Sequence, residues 1–213
     1  MAKELERRFY TFEPNAEKRD DGTAQISGRP IVYNSPTDIG GMFREIIMPG
    51  ALDSADLRDV PLLVNHNSDM IPVARSRRNN GNSTMQLFTD TDGMGFTASL
   101  DVARNATAAE LYSAVERKDI SGMSFAFRVD EERWEGLETD YPTRYINRFS
   151  NIREISAVTF PAYDTTEINA RSKSTLESAR AALESATQSR ANAVDTADEI
   201  ELLKAKALFK SKI

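Results

Sequence analysis

The sequence predicts a mainly β fold of the α+β class, a mixed or antiparallel β-barrel with one or two peripheral helices and a C-terminal helical tail. Three observations lead there. Short β-prone runs bounded by Gly, Pro, Asn and Asp recur as far as Phe160. Strands and helices do not alternate in a βαβα order. Near Arg171 the composition shifts: residues 174–212 are rich in Ala, Ser, Glu, Arg and Lys, contain no Gly or Pro, and hold one aromatic, Phe209.

The elements follow in order. Residues 5–35 read as two strands, one around Arg8–Phe12. The second runs through Ala24–Gly28 and Pro30–Asn34 after an Asp20-Asp21-Gly22 turn. Gly28 and Pro30 mark a bulge or bend in an edge strand. Gly40-Gly41 opens a loop, Phe43–Ile47 is a strand, and Pro49-Gly50-Ala51-Leu52 starts a short helix. Val60–Val64 is a strand leading to His66. Thr84–Thr89 and Gly95–Leu100 flank Asp90-Thr91-Asp92-Gly93 as a hairpin. A helix spans Asn105–Lys118, with Thr107 to Glu110 at capping-box spacing and an apolar face of Leu111, Ala114 and Val115. Met123–Val129 is an alternating strand. A charged, Trp-containing excursion follows, then strands near Arg144–Phe149 and Arg153–Phe160, the last ended by Pro161-Ala162-Tyr163. The domain organisation expected is residues 1–171 as the β domain and 172–213 as a helical tail, joined at Ser172-Lys173-Ser174. The tail's Ala-rich seam makes a weak coiled coil; the helix either packs along its own domain or serves as a detachable docking tail, and its few large apolar residues suit the second better than a deep core.

Composition narrows the chemistry. The chain has no cysteine and one histidine, His66. Thiol catalysis, Cys-ligated zinc and iron–sulfur sites are excluded, as is a His-rich metal site. A general base half-protonated near neutral pH points to His66. The net charge of -6 is mixed in sign, and Arg75-Ser76-Arg77-Arg78, the densest basic cluster, lacks interleaved aromatics, so no direct nucleic-acid role is expected. No apolar run approaches the ~20 residues of a membrane span, and the charged N-terminus lacks a signal core. A soluble protein is expected.

His66 closes Leu62-Leu63-Val64-Asn65, where a strand end presents an imidazole to a cleft or a structural His caps a loop. Ser124 follows Gly122-Met123 at a strand start; it fits a rigidly held nucleophile or a small polar residue on an outward face. Glu154 opens the apolar run Ile155–Phe160 and fits an acid that orients the base, or a strand-end ion pair with Arg153 or Arg128. A serine nucleophile needs a base in reach, and the base an orienter. Sequence alone does not bring these three together.

Five segments in order are similar to the prohead proteases of tailed bacteriophages, over about residues 8–171. They are Gly28–Asn34, Gly41–Leu52, Val64-Asn65-His66, Asp119–Phe127 and Arg153–Tyr163. The chain departs from the usual pattern at Leu52, where an aromatic is common, at Asn67, where Asp is frequent, and at Val73-Ala74-Arg75, which lacks a Gly. That family resembles the herpesvirus assemblins, serine endopeptidases on a β-barrel surrounded by helices. The resemblance implies His66 as general base and Ser124 as nucleophile. The assemblin third member is a second His, which this chain lacks, so Glu154 is inferred as the orienting acid. A backbone N–H, with an arginine such as Arg171, is a conceivable oxyanion donor. No metal or cofactor is required. The resemblance further implies cleavage of scaffold and major capsid protein, and of the protease itself, inside an immature procapsid in the host cytoplasm. It leaves a homo-oligomer open. The alternative is a non-catalytic capsid assembly or scaffolding protein on a degenerate protease fold.

Overall fold

A computed structural model of the chain describes residues 5–11, 15–18, 24–159, 176–194 and 196. Its strands pair as two sheets. One contains β1 (Glu6–Thr11), β4 (Thr37–Ile39), β5 (Phe43–Ile47), β6 (Asp59–Val64), β7 (Ala74–Arg77), β10 (Gly122–Glu135) and β11 (Thr143–Val158). The other is β2 (Asn15–Lys18), β3 (Ala24–Val32), β9 (Gly93–Leu100) and β8 (Met85–Asp90), in that order. A helix, α1 (Ala106–Glu116), accompanies the second sheet, and a second, α2 (residues 176–194), follows the strands. The mainly β, α+β class is the one expected. The closed barrel is not: among the described strands, pairing leaves open edges on both sheets.

The reason lies in β11. Its first residues pair in parallel with β5, from Thr143↔Arg44 to Ile146↔Ile47. Its last pair in parallel with β6, from Ile155↔Leu62 to Ala157↔Val64. Along its whole length it is antiparallel to β10, with register shifts near Phe127 and between Arg128 and Glu132. Such bulges bend and twist a ribbon locally, so one long strand serves two neighbours instead of rolling into a ring. The charged segment Asp130–Glu135 is therefore strand, not an excursion. The two short strands expected after it are one.

Other local differences have local causes. Ala51, Asp53 and Ala55 each bond a carbonyl three residues back, and Gly50 has φ +83°, so Pro49–Leu52 forms successive turns rather than a helix. Asn105, not Thr107, caps α1: its side chain accepts from the Ala108 N–H at 3.2 Å. The expected bulge lies at Gly28–Ile31, but β3 sits between β2 and β9 rather than at an edge, and the β8–β9 hairpin is present with a tighter turn than expected, since Asp90 pairs with Gly93 across Thr91-Asp92. Phe12, the Asp20-Asp21-Gly22 turn, Phe160–Tyr163, Arg171, Ser172-Lys173-Ser174 and residues 197–212 of the expected helix lie outside the described residues.

The larger core gathers Phe125, Phe127 and Phe149, with ring centroids 4.9 to 6.1 Å apart, together with Leu62, Ile155 and Ala157. A smaller cluster joins Ile39 and Phe43 to Ala179 of α2, with Met42, Trp134 and Leu183 at its rim. A Cβ on Gly40 would fall 2.5 Å from Leu176 Cδ2, so glycine lets α2 approach this turn. The expected tail is thus seated on the β domain at its first turns. No α2 residue is among the described members of the larger core.

Charge is also buried. Arg8 bonds both oxygens of Glu45, at 2.6 and 2.7 Å, and Glu6 at 2.7 Å. Arg144 bonds Glu6 at 2.6 and 2.7 Å and Glu45 at 3.0 Å, and pairs with Glu132. Burial pushes the Glu6 carboxyl up, but the guanidiniums of Arg144 and Arg8 together outweigh it and hold it at about 2, against an ordinary 4.5. A depressed carboxyl contributes stability above its unfolded value, and that contribution is lost as pH falls from 4.5 towards 2.

Two outcomes follow. Arg144→Ala leaves Glu6 and Glu45 short of their partner and should lower unfolding free energy by about 3–5 kcal/mol in urea. A loss under ~1 kcal/mol would mean that the remaining pairs compensate fully. A chain ending at Ser172 should still unfold in one cooperative transition. It should lose on the order of 2–4 kcal/mol, as Ile39, Phe43 and Trp134 are uncovered. A molten product would place α2 within the essential core.

Candidate active site

β6 delivers the histidine. After Val64 the chain leaves the sheet through two consecutive residues of positive φ, Asn65 at 51° and His66 at 57°. Asn and His are among the few non-glycine residues that tolerate this conformation. The turn is pinned to β11: Asn65 N–H donates to the Ala157 carbonyl at 2.8 Å, and Thr159 N–H donates to Asn65 Oδ1 at 3.0 Å. The imidazole is thereby brought to the face of β11 that carries Glu154.

His66 Nδ1 and Glu154 Oε1 are hydrogen-bonded. A carboxylate only accepts, so the neutral ring carries its proton on Nδ1, and Nε2 presents the lone pair. Glu154 Oε2 accepts from Ser156 Oγ at 3.0 Å, and Ser156 Oγ accepts from the His66 backbone N–H at 3.3 Å. The three residues close a ring of contacts. The side chains of His66 and Glu154 are 7% and 9% exposed. Arg7 Nε lies 3.9 Å from Glu154 Oε1.

Ser124 stands one strand away. On β10 it is the direct partner of Ser156 on β11 and of Phe9 on β1. Directly opposed residues share a face, so Ser124, Ser156 and, two residues before Ser156, Glu154 line the same side of the sheet. Ser124 is fully buried, and its Oγ donates to the Arg8 carbonyl at 2.7 Å. The structure therefore joins His66 to Glu154 directly and sets Ser124 on the same face, with its hydroxyl proton on β1. An outward-facing, exposed Ser124 is not what is found.

The ion pairs considered for Glu154 are replaced by contacts to His66, Ser156 and Arg7. Arg153 instead lines a cleft with Asp56, Arg58, Asp59, Arg78 and Asn151. Ser156 and Arg7 received no role from sequence. The spacing of Ser156 two residues after Glu154 was the available signal, because alternation puts both on one face. Among the described residues, no group of three or more His, Asp or Glu is arranged to hold a metal ion, and no helix is long and apolar enough to cross a membrane.

A model of the caudovirus prohead serine protease family matches residues 11–180. The chain belongs to that family, a family of serine peptidases. No curated protein matches. Among solved structures, the bacteriophage T4 capsid assembly protease gp21 is similar, with a TM-score of 0.37 and 12% identity over 73% of this chain and 99% of that one. A likeness this distant assigns no residue roles.

If Glu154 orients the ring, Glu154→Gln should preserve the unfolding midpoint and lower kcat for peptide cleavage by roughly 10²–10⁴, because the neutral amide also supports the wrong tautomer. Wild-type kinetics in this variant would leave Glu154 as a packing partner of His66 only.

Proposed function

We propose that the chain is an active serine endopeptidase that cleaves scaffold and major capsid protein, and itself, as the phage prohead matures in the host cytoplasm. One observation carries the reading beyond family membership. The only imidazole of the chain is hydrogen-bonded through Nδ1 to a buried carboxylate, on the sheet face that also bears Ser124.

The reading implies the following steps. Ser124 Oγ turns from the Arg8 carbonyl towards His66 and attacks the scissile carbonyl carbon. Its proton passes to His66 Nε2, and Glu154 stabilises the imidazolium. The C–N bond then breaks, the leaving amine takes the proton from Nε2, and an acyl-enzyme remains. Water, deprotonated by the same nitrogen, attacks the ester carbonyl; the ester C–O bond breaks, and the proton passes from Nε2 to the departing Ser124 oxygen. Ser156 is the less suitable nucleophile, since its one proton is committed to Glu154 and its oxygen to the His66 N–H. Residues 1–171 act as the protease domain. The region 172–213 docks to scaffold or shell subunits, or is removed by self-cleavage.

A second reading, a non-catalytic assembly protein on a degenerate protease fold, draws on the complete burial of Ser124 and its bond to Arg8. Kinetics separate the two. With purified capsid or scaffold protein as substrate, Ser124→Ala and His66→Ala should each lower turnover by about 10⁴–10⁶, and the double variant little further. Near-additive losses would refute a single catalytic unit. Absence of cleavage by the wild-type chain, or equal cleavage by Ser124→Ala, would favour the assembly reading.

A further inference from the structure

We propose that Ser156 is a positioning residue, whose hydroxyl locks the Glu154 carboxylate and the His66 backbone together and so selects the imidazole tautomer used in proton transfer. The inference rests on the reading of His66 as base and Glu154 as its orienter.

Ser156 is fully buried within Ile155-Ser156-Ala157-Val158, a run whose other members are buried and apolar. A hydroxyl there is costly to bury unless both of its hydrogen-bonding functions are used, and a β-branched apolar residue would suit a strand interior better. Both functions are used, and both serve the site. The proton goes to Glu154 Oε2 at 3.0 Å, and the oxygen takes the His66 N–H at 3.3 Å.

Each bond removes a specific freedom. The terminal torsion of a glutamate is broad and roughly two-fold. With Oε2 held, the carboxylate cannot turn Oε1 away from Nδ1. The positive φ of Asn65 and His66 aims the His66 amide back at β11 rather than along a continuing ladder. Ser156 Oγ is the acceptor that meets it. Position completes the case: Ser156 pairs with Ser124 on one side and with Leu63 of β6 on the other, between the candidate nucleophile and the strand that carries the base.

The test exploits the single histidine, whose ring nitrogens give unambiguous signals in the full chain. Ser156→Thr keeps the hydroxyl and Ser156→Val has the same shape without it, so the pair cancels differences of packing. Long-range nitrogen–proton spectra are recorded at a pH where the ring is neutral. Wild-type and Ser156→Thr should carry the proton on Nδ1. Ser156→Val should show a mixture or the Nε2–H form. In peptide cleavage kcat of the valine variant should fall about 10- to 100-fold relative to the threonine variant, with KM within about twofold. The inference is overturned if Ser156→Val keeps the Nδ1–H ring, or if the two variants share the same kcat. A wild-type chain that cleaves nothing defeats the protease reading instead, and the spectra still decide the role of Ser156.

Discussion

The parallel pairing of β6 with the end of β11 is the constraint on which the candidate site depends. Three residue pairs set it, and their two faces serve different ends. Leu62, Ile155 and Ala157 point into the larger core, which opposes any slip. Ser156 and, two residues before it, Glu154 point the other way, towards His66. Because strand side chains alternate, a shift by one residue would carry the Glu154 and Ser156 faces out of reach of the imidazole. Hydrophobic packing on one side of the sheet thus fixes polar geometry on the other.

β1 links the site to the buried charges by the same alternation. Glu6 and Arg8 enter the cluster with Glu45 and Arg144, while Arg7 lies near Glu154 and the Arg8 carbonyl holds the Ser124 hydroxyl. The four central charges balance, and every carboxylate in the cluster has at least one guanidinium at hydrogen-bond distance. That balance is what makes burial tolerable. Replacing such a cluster with apolar groups is often neutral, whereas removing one member is not. Its value here is geometric, since it places β1 along β10, opposite Ser124.

Much of this was legible in the sequence, for identifiable reasons. β5, β6 and the β8–β9 hairpin follow from alternation and turn chemistry, both local signals. His66 and Glu154 stand out in the sequence as a candidate base and acid, and their side chains are hydrogen-bonded. β2, β4 and β7 have no such local signal because Asn15–Lys18, Thr37–Ile39 and Ala74–Arg77 are short and largely polar, so residues 5–35 hold three strands rather than the two expected. The continuity of β10 through Asp130–Glu135 was missed because charged residues read as loop when the partner strand is unknown. The buried cluster of Arg8, Glu45 and Arg144 has no sequence signal, since several of its neutralising partners are remote in sequence, up to 138 residues apart. The burial of Ser124 belongs to the same class. A strand with both faces covered shows little of it in alternation alone.

The central claim is that Ser124 is a nucleophile activated by His66. A fluorophosphonate probe that captures activated serines, followed by peptide mapping of the modified full chain, tests it most directly. Modification confined to Ser124, and lost in His66→Ala, is the result expected. Modification at Ser156, or at Ser124 independently of His66, would contradict the assignment of the two residues to one catalytic unit.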